Sequence, residues 1–139
     1  MRDQPTPLQI KHRTLLTLWF ALLMNVAVLF SMTIFLRSPE AAGNGSLRLV
    51  FIAGASLMLI ASFIVRARIL DRARAQQSLP SVHVAFVIAW AMCEASALLG
   101  LVEYFTFGSR DLVLFGIAIV GIVLHMPRIE HLESVGINK

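Results

Sequence analysis

Four apolar runs, over residues 15–36, 49–65, 82–107 and 112–126, divide the chain. The first holds 22 residues without a formal charge. At about 1.5 Å per residue it crosses the roughly 30 Å of bilayer hydrocarbon. The second is rich in small residues, among them Gly54, Ala55, Ser56 and Ser62, which let neighbouring helices approach closely. The third exceeds the minimum length and predicts a helix that tilts or projects slightly. The fourth has 15 residues and reads as a short span, with Asp111 and His125 at its interfaces and Pro127 ending it. This pattern predicts an all-α membrane protein, four transmembrane helices arranged as two antiparallel hairpins in a single domain over 1–139.

The polar stretches supply the connections. Pro39, Gly43 and the Asn44-Gly45 turn signal predict a loop over 37–48. Residues 66–80 can extend the second helix past the membrane surface, and Pro80 then resets the chain. Residues 108–111 form a tight connection. The lead over 1–13 is expected to be irregular at first. The tail over 128–139 is expected to be interfacial or frayed. The first apolar run is too long for a signal-peptide core and no clear cleavage site follows, so it reads as a retained helix. Trp19 lies near its first end, where an interfacial aromatic is favoured.

Composition agrees with the pattern. The chain is 58% hydrophobic and 14% charged, where a soluble domain carries roughly a quarter charged residues. The net charge of +4 sits at the ends of the apolar runs, which argues for membrane topology and against nucleic acid as a partner. Nine of the twelve Lys and Arg residues fall in the lead, in 66–80 and in the tail. That bias places both termini and the central segment on the cytoplasmic side of a bacterial inner membrane. Arg66, Arg68, Arg72 and Arg74, opposed only by Asp71, are candidates for lipid headgroups, each contributing about 1 kcal/mol near a charged surface.

Two acids interrupt the third run. Glu94 lies about 18 Å deep and Asn25, in the first run, about 15 Å deep at the helical rise. Both therefore reach the region of the bilayer midplane. A carboxyl at that depth needs shelter, and Asn25 or Ser56 is its expected hydrogen-bond partner. Together they form the candidate proton or cation site. Asn25 alone reads first as an interhelical hydrogen bond of about 0.6–2 kcal/mol. Ala85, Ala89, Cys93, Ser96 and Gly100 recur at spacings of three and four and form one face for close helix packing. Cys93 is expected to be a small packing residue. Glu103 lies near the outer interface, hydrated or paired with Arg110. His12, His83, His125 and His131 are expected at interfaces. No enzyme motif, metal-ligand cluster or cofactor motif is present in the sequence.

The segment Ala91-Met92-Cys93-Glu94-Ala95-Ser96-Ala97-Leu98-Leu99-Gly100-Leu101-Val102 resembles the carboxylate helix of the proteolipid subunit c of rotary ATP synthases. In that family an acid in an apolar helix is followed six residues later by Gly-Leu-Val. Glu94 matches the ion-carrying acid and Gly100-Leu101-Val102 the tripeptide. The segment Arg72-Ala73-Arg74-Ala75-Gln76-Gln77 is loosely similar to that family's polar cytoplasmic loop. The whole chain is also similar to small four-span bacterial membrane proteins.

Two functions follow as expectations. The first is a non-enzymatic accessory or assembly subunit of a larger membrane complex, with lipid and other membrane helices as partners. The second is a proton- or cation-binding, proteolipid-like unit that forms a homo-oligomer. The first is preferred, because a ring-forming unit needs a glycine-rich partner helix and the second run offers only Gly54.

Overall fold

The computed structural model describes residues 6–36, 45–108 and 112–136. They form five helices in chain order: α1 Pro7–Phe35, α2 Gly45–Gln76, α3 Leu79–Phe107, α4 Leu112–Leu124 and α5 Ile129–Gly136. Among the described residues there is no strand. The first three helices are long and apolar enough to cross a membrane, and α4 is a shorter apolar helix. At 13 residues α4 is about 20 Å long, so three helices rather than four reach membrane length.

The helices start and stop where local chemistry allows. Thr6 caps α1. Its hydroxyl accepts from the Gln9 backbone, the Gln9 side chain accepts from the Thr6 N–H, and Pro7 occupies the first turn, where no N–H is needed. Helix therefore begins well before the apolar run, inside the lead expected to be irregular. The arginine-rich segment continues α2 to Gln76. There Gln77 adopts a left-handed conformation with φ of 49°, and the Ser78 N–H reaches back to the Ala73 carbonyl, a Schellman stop usually made by glycine. Most of the loop over 37–48 and most of the connection over 108–111 lie outside the described residues.

α3 is the central element and packs against all four other helices. Cross-helix contacts fix the directions. Ala55 meets Ser96, Ser62 meets Cys93 and Arg66 meets Phe86, so α2 and α3 are antiparallel. Gly100 faces Phe115, and the Gly121 Cα faces Cys93, so α4 runs back along α3. Asn25 pairs with Glu94, and Tyr104 donates to the Leu36 carbonyl, so α1 runs parallel to α3. The backbones of α1 and α2 do not approach each other closely among the described residues. The expected first hairpin therefore does not close on itself. α2 spends its close-packing residues, Ala55 and Ser62, on α3 and α4, and α1 settles against α3, α4 and α5 instead.

The short α4 ends inside the bundle, where stray carbonyls are costly because no water reaches them. Side chains from other helices take up this end. The Trp19 indole N–H donates to the Ile122 carbonyl at 2.8 Å, and the Trp90 indole donates to the His125 carbonyl at 3.1 Å. His12 Nε2 lies 3.3 Å from the Pro127 carbonyl and donates to it. Trp19 is thus half-buried and directed inward rather than acting as an interfacial anchor.

The tail is ordered as α5. Leu132 and Val135 are buried in one apolar cluster with Leu15, Leu70, Val82 and Phe86. The start of α1, the α2–α3 junction and α5 therefore gather at one end of the bundle. A frayed tail is overturned for 129–136, because Leu132 and Val135 find a core to fill. Elsewhere the outward faces stay apolar, with Phe20, Val28 and Phe35 on α1 and Leu49, Leu57 and Ile60 on α2 exposed. Apolar sides of this extent suit hydrocarbon.

Candidate functional site

The carboxamide of Asn25 donates to Oε1 of Glu94. α1 and α3 run in the same direction, so two residues at similar depth in their helices meet side by side. Glu94 is half-buried and Asn25 is exposed. Behind the pair lies a dry cluster of Val26, Cys93, Ala97, Phe115, Ala118 and Ile122. In front it opens on the lateral surface, between Val28 and Met32 of α1 and Val87 and Leu98 of α3, all exposed. Ser56 is half-buried on α2 and forms no hydrogen bond to Glu94 among the described residues. The serines that bond across α2–α3 are Ser62 and Ser96.

The small-residue face is buried throughout: Ala85, Ala89, Cys93, Ser96 and Gly100 all lie inside. It is covered within the chain, by α2 and α4, and so is not open to a second protein. Its tightest point was not legible in the run itself. A Cβ on Gly121 would stand 2.6 Å from Cys93 Sγ and 2.8 Å from Leu59 Cδ1, and one on Gly100 would stand 3.0 Å from Phe115 Cε2. Glycine at these two positions lets α3 and α4 touch backbone to side chain.

Two further polar groups, Glu103 and His125, are buried. Glu103 is buried rather than hydrated, and Arg110, its alternative expected partner, lies outside the described residues. His125 is fully buried. Its Nδ1 lies 2.7 Å from the Gly121 carbonyl, which can only accept, so Nδ1 carries the proton and Nε2 faces the Ser62 hydroxyl at 3.3 Å. The ring leans on Phe63 at 4.3 Å. An apolar run ending in His-Met-Pro gave no sign of this, since burial comes from α2 folding over it. His83 is half-buried near the start of α3.

The arginines divide between two faces of α2. Arg66 is half-buried, with its guanidinium 4.8 Å from the Phe86 ring and Nη2 2.9 Å from Nε2 of His131 on α5. Arg74 pairs with Asp71 at 3.4 Å on the surface. Arg68 and Arg72 are exposed, two residues out of phase with Arg66 and Arg74. Among the described residues no group of His, Cys, Asp and Glu could hold a metal.

The Arg66–His131 contact makes α5 docking sensitive to pH. Arginine only donates, so Nε2 must accept and the imidazole must be neutral. Burial first, then Arg66, Arg74 and Arg128, push His131 below its ordinary value, against a smaller pull from Glu130. Undocked, His131 takes up a proton near pH 6.5; docked, it resists until lower pH. Acidification through that window therefore favours the undocked form, by at most about 1.4 kcal/mol per pH unit. Amide exchange at Leu132 and Val135, corrected for intrinsic rates, should accelerate between pH 7 and pH 5. His131→Phe should remove that acceleration.

No protein family, curated protein or solved structure matches the chain. Fold and site together define its class, an all-helical bundle with three membrane-length helices and a carboxyl–carboxamide pair on its flank.

Proposed function

We propose that the chain is a non-enzymatic integral membrane subunit, an accessory or assembly component of a larger membrane complex, in which a partner's membrane helix covers the Asn25–Glu94 pair. The observation that carries this reading is the position of the pair. It is partly exposed on a lateral face that is otherwise apolar, and hydrocarbon offers it no hydrogen bond. A neighbouring helix with one polar side chain would satisfy it, at about 0.6–1.7 kcal/mol. The small-residue face cannot serve this purpose, since it is already filled from within.

In this reading α4 and the turn after it complete a fourth, shortened crossing in a bacterial inner membrane. The basic-residue bias puts both termini in the cytoplasm, and the gathering of α1's start, the α2–α3 junction and α5 at one end supports placing them on one side. Purified in mild detergent, the chain should carry other membrane subunits with it. The Asn25→Ala/Glu94→Ala double variant should fold but lose them. Isolation as a bare monomer, or as a closed ring of identical chains, would overturn the assembly role.

The second reading, a proton- or cation-binding unit, is favoured by one feature. Asn25 engages Oε1 of Glu94, and Oε2 has no hydrogen bond among the described residues, so the carboxyl keeps one oxygen for a proton or an ion. Selective carbodiimide modification of Glu94, slowed by Na⁺ or by high pH, would favour that reading.

A further inference from the structure

We propose that the surface between α2 and α5 is a binding site for the phosphate of an anionic phospholipid, formed by Arg66, Arg74 and Arg128. This goes beyond the assembly reading and does not depend on it.

The site is built by helical phase. Residues 66, 70 and 74 repeat at intervals of four, so they share one face of α2. A groove of about 300 Å³ runs along that face, lined by Phe63, Arg66, Ala67, Leu70, Asp71 and Arg74. Arg128 does not line this groove; it is exposed just before α5. Its charge reaches both Arg66 and His131, and that of Arg74 reaches His131 as well. Arg66 contacts the imidazole and keeps it as an acceptor, and the charges of Arg74 and Arg128 lie within electrostatic reach of it. The nearby acids are Asp71, held by Arg74 at a long 3.4 Å on the surface, and Glu130. Three cations against two acids leave a positive excess at this corner.

The surroundings say which anion fits. At one end of the groove Phe63 and its neighbour Ile64 are exposed and apolar, and the apolar run of α2 stops at Val65. At the other end α2 continues for about 15 Å of polar helix. The guanidinium groups therefore sit where hydrocarbon gives way to headgroups, and the groove offers an apolar wall to an acyl chain beside them. A free phosphate would use the charges and gain nothing from Phe63. Arginine suits a phosphate's geometry because it donates in pairs.

The test separates this site from general attraction between a basic protein and an acidic membrane. Full-length protein is reconstituted in nanodiscs of phosphatidylcholine with a small fraction of phosphatidylglycerol, and the lipid retained on extraction is counted by native mass spectrometry. Two charge-matched variants are compared. Arg74→Gln/Arg128→Gln removes two site cations and leaves the half-buried Arg66–His131 contact intact. Arg68→Gln/Arg72→Gln removes two cations from the other face. Phosphatidylglycerol should be retained over phosphatidylcholine. The first variant should weaken that retention by at least about tenfold, on a scale of about fivefold per basic residue, and the second by much less. Equal loss in both variants, or no preference between the lipids, would overturn the site. Displacement by millimolar inorganic phosphate would show that the site binds phosphate without the lipid and would overturn the lipid assignment.

Discussion

Gly121→Val is expected to unseat α4 from the bundle. The first added carbon alone would lie 2.6 Å from Cys93 Sγ and 3.2 Å from Cys93 Cβ. Cys93 is short, buried and set in the middle of α3, so it cannot swing away as the tip of Leu59 can. Overpacking a filled core costs about 1–3 kcal/mol, and valine adds two more methyl groups to the same clash. Denaturation in mild detergent should show Gly121→Ala destabilised within that range and Gly121→Val beyond it. Cys93→Ala in the Gly121→Ala background should recover part of the loss, because the closest contact is with the sulfur. Gly54→Ala and Gly116→Ala are the controls. A Cβ at either meets nothing within 4 Å, and alanine is the better helix former by up to about 1 kcal/mol, so both should be neutral or stabilising.

Trp90 should show the second large effect, and it can be divided into two parts. Trp90 is fully buried between Phe86 and the end of α4. Trp90→Ala leaves a cavity and should cost about 3–5 kcal/mol. Trp90→Phe keeps most of the ring and removes the N–H, leaving the His125 carbonyl without its indole donor. That single loss should cost about 1–3 kcal/mol, the penalty of an orphaned buried acceptor. If Trp90→Phe proves silent, the indole contributes packing alone, and the satisfaction of α4's end by side chains from other helices would need another explanation.

The helices and the polar pair differ in how they are written into the chain. Length and composition announce α1, α2 and α3 directly. The matched depth of Asn25 and Glu94 follows from counting residues once the direction of each helix is known. What the sequence does not carry is which helix covers which face. The seam from Ala85 to Gly100 is visible as a spacing, yet it does not say that α2 and α4 fill it. Gly121 looks like any other glycine in an apolar run until Cys93 is placed opposite. His125 and Glu103 sit near the ends of apolar runs and read as wet, and only tertiary packing encloses them. The tail's apolar residues, Ile129, Leu132, Val135 and Ile137, do not say by themselves that the segment docks, and α5 is held because the bundle end supplies Leu15, Leu70 and Phe86. Local signals thus settle the existence of the long helices, and contacts distant in sequence settle their partners.

A carboxyl sheltered by a carboxamide between α1 and α3 is the centre of the account, and a double-mutant cycle tests it most directly. Asn25→Ala, Glu94→Ala and the double variant are unfolded reversibly in bicelles, and the coupling free energy is taken from the four stabilities. The account predicts a favourable coupling of about 0.6–1.7 kcal/mol between the two positions. Additivity within about 0.3–0.5 kcal/mol, as for residues that do not touch, would contradict it.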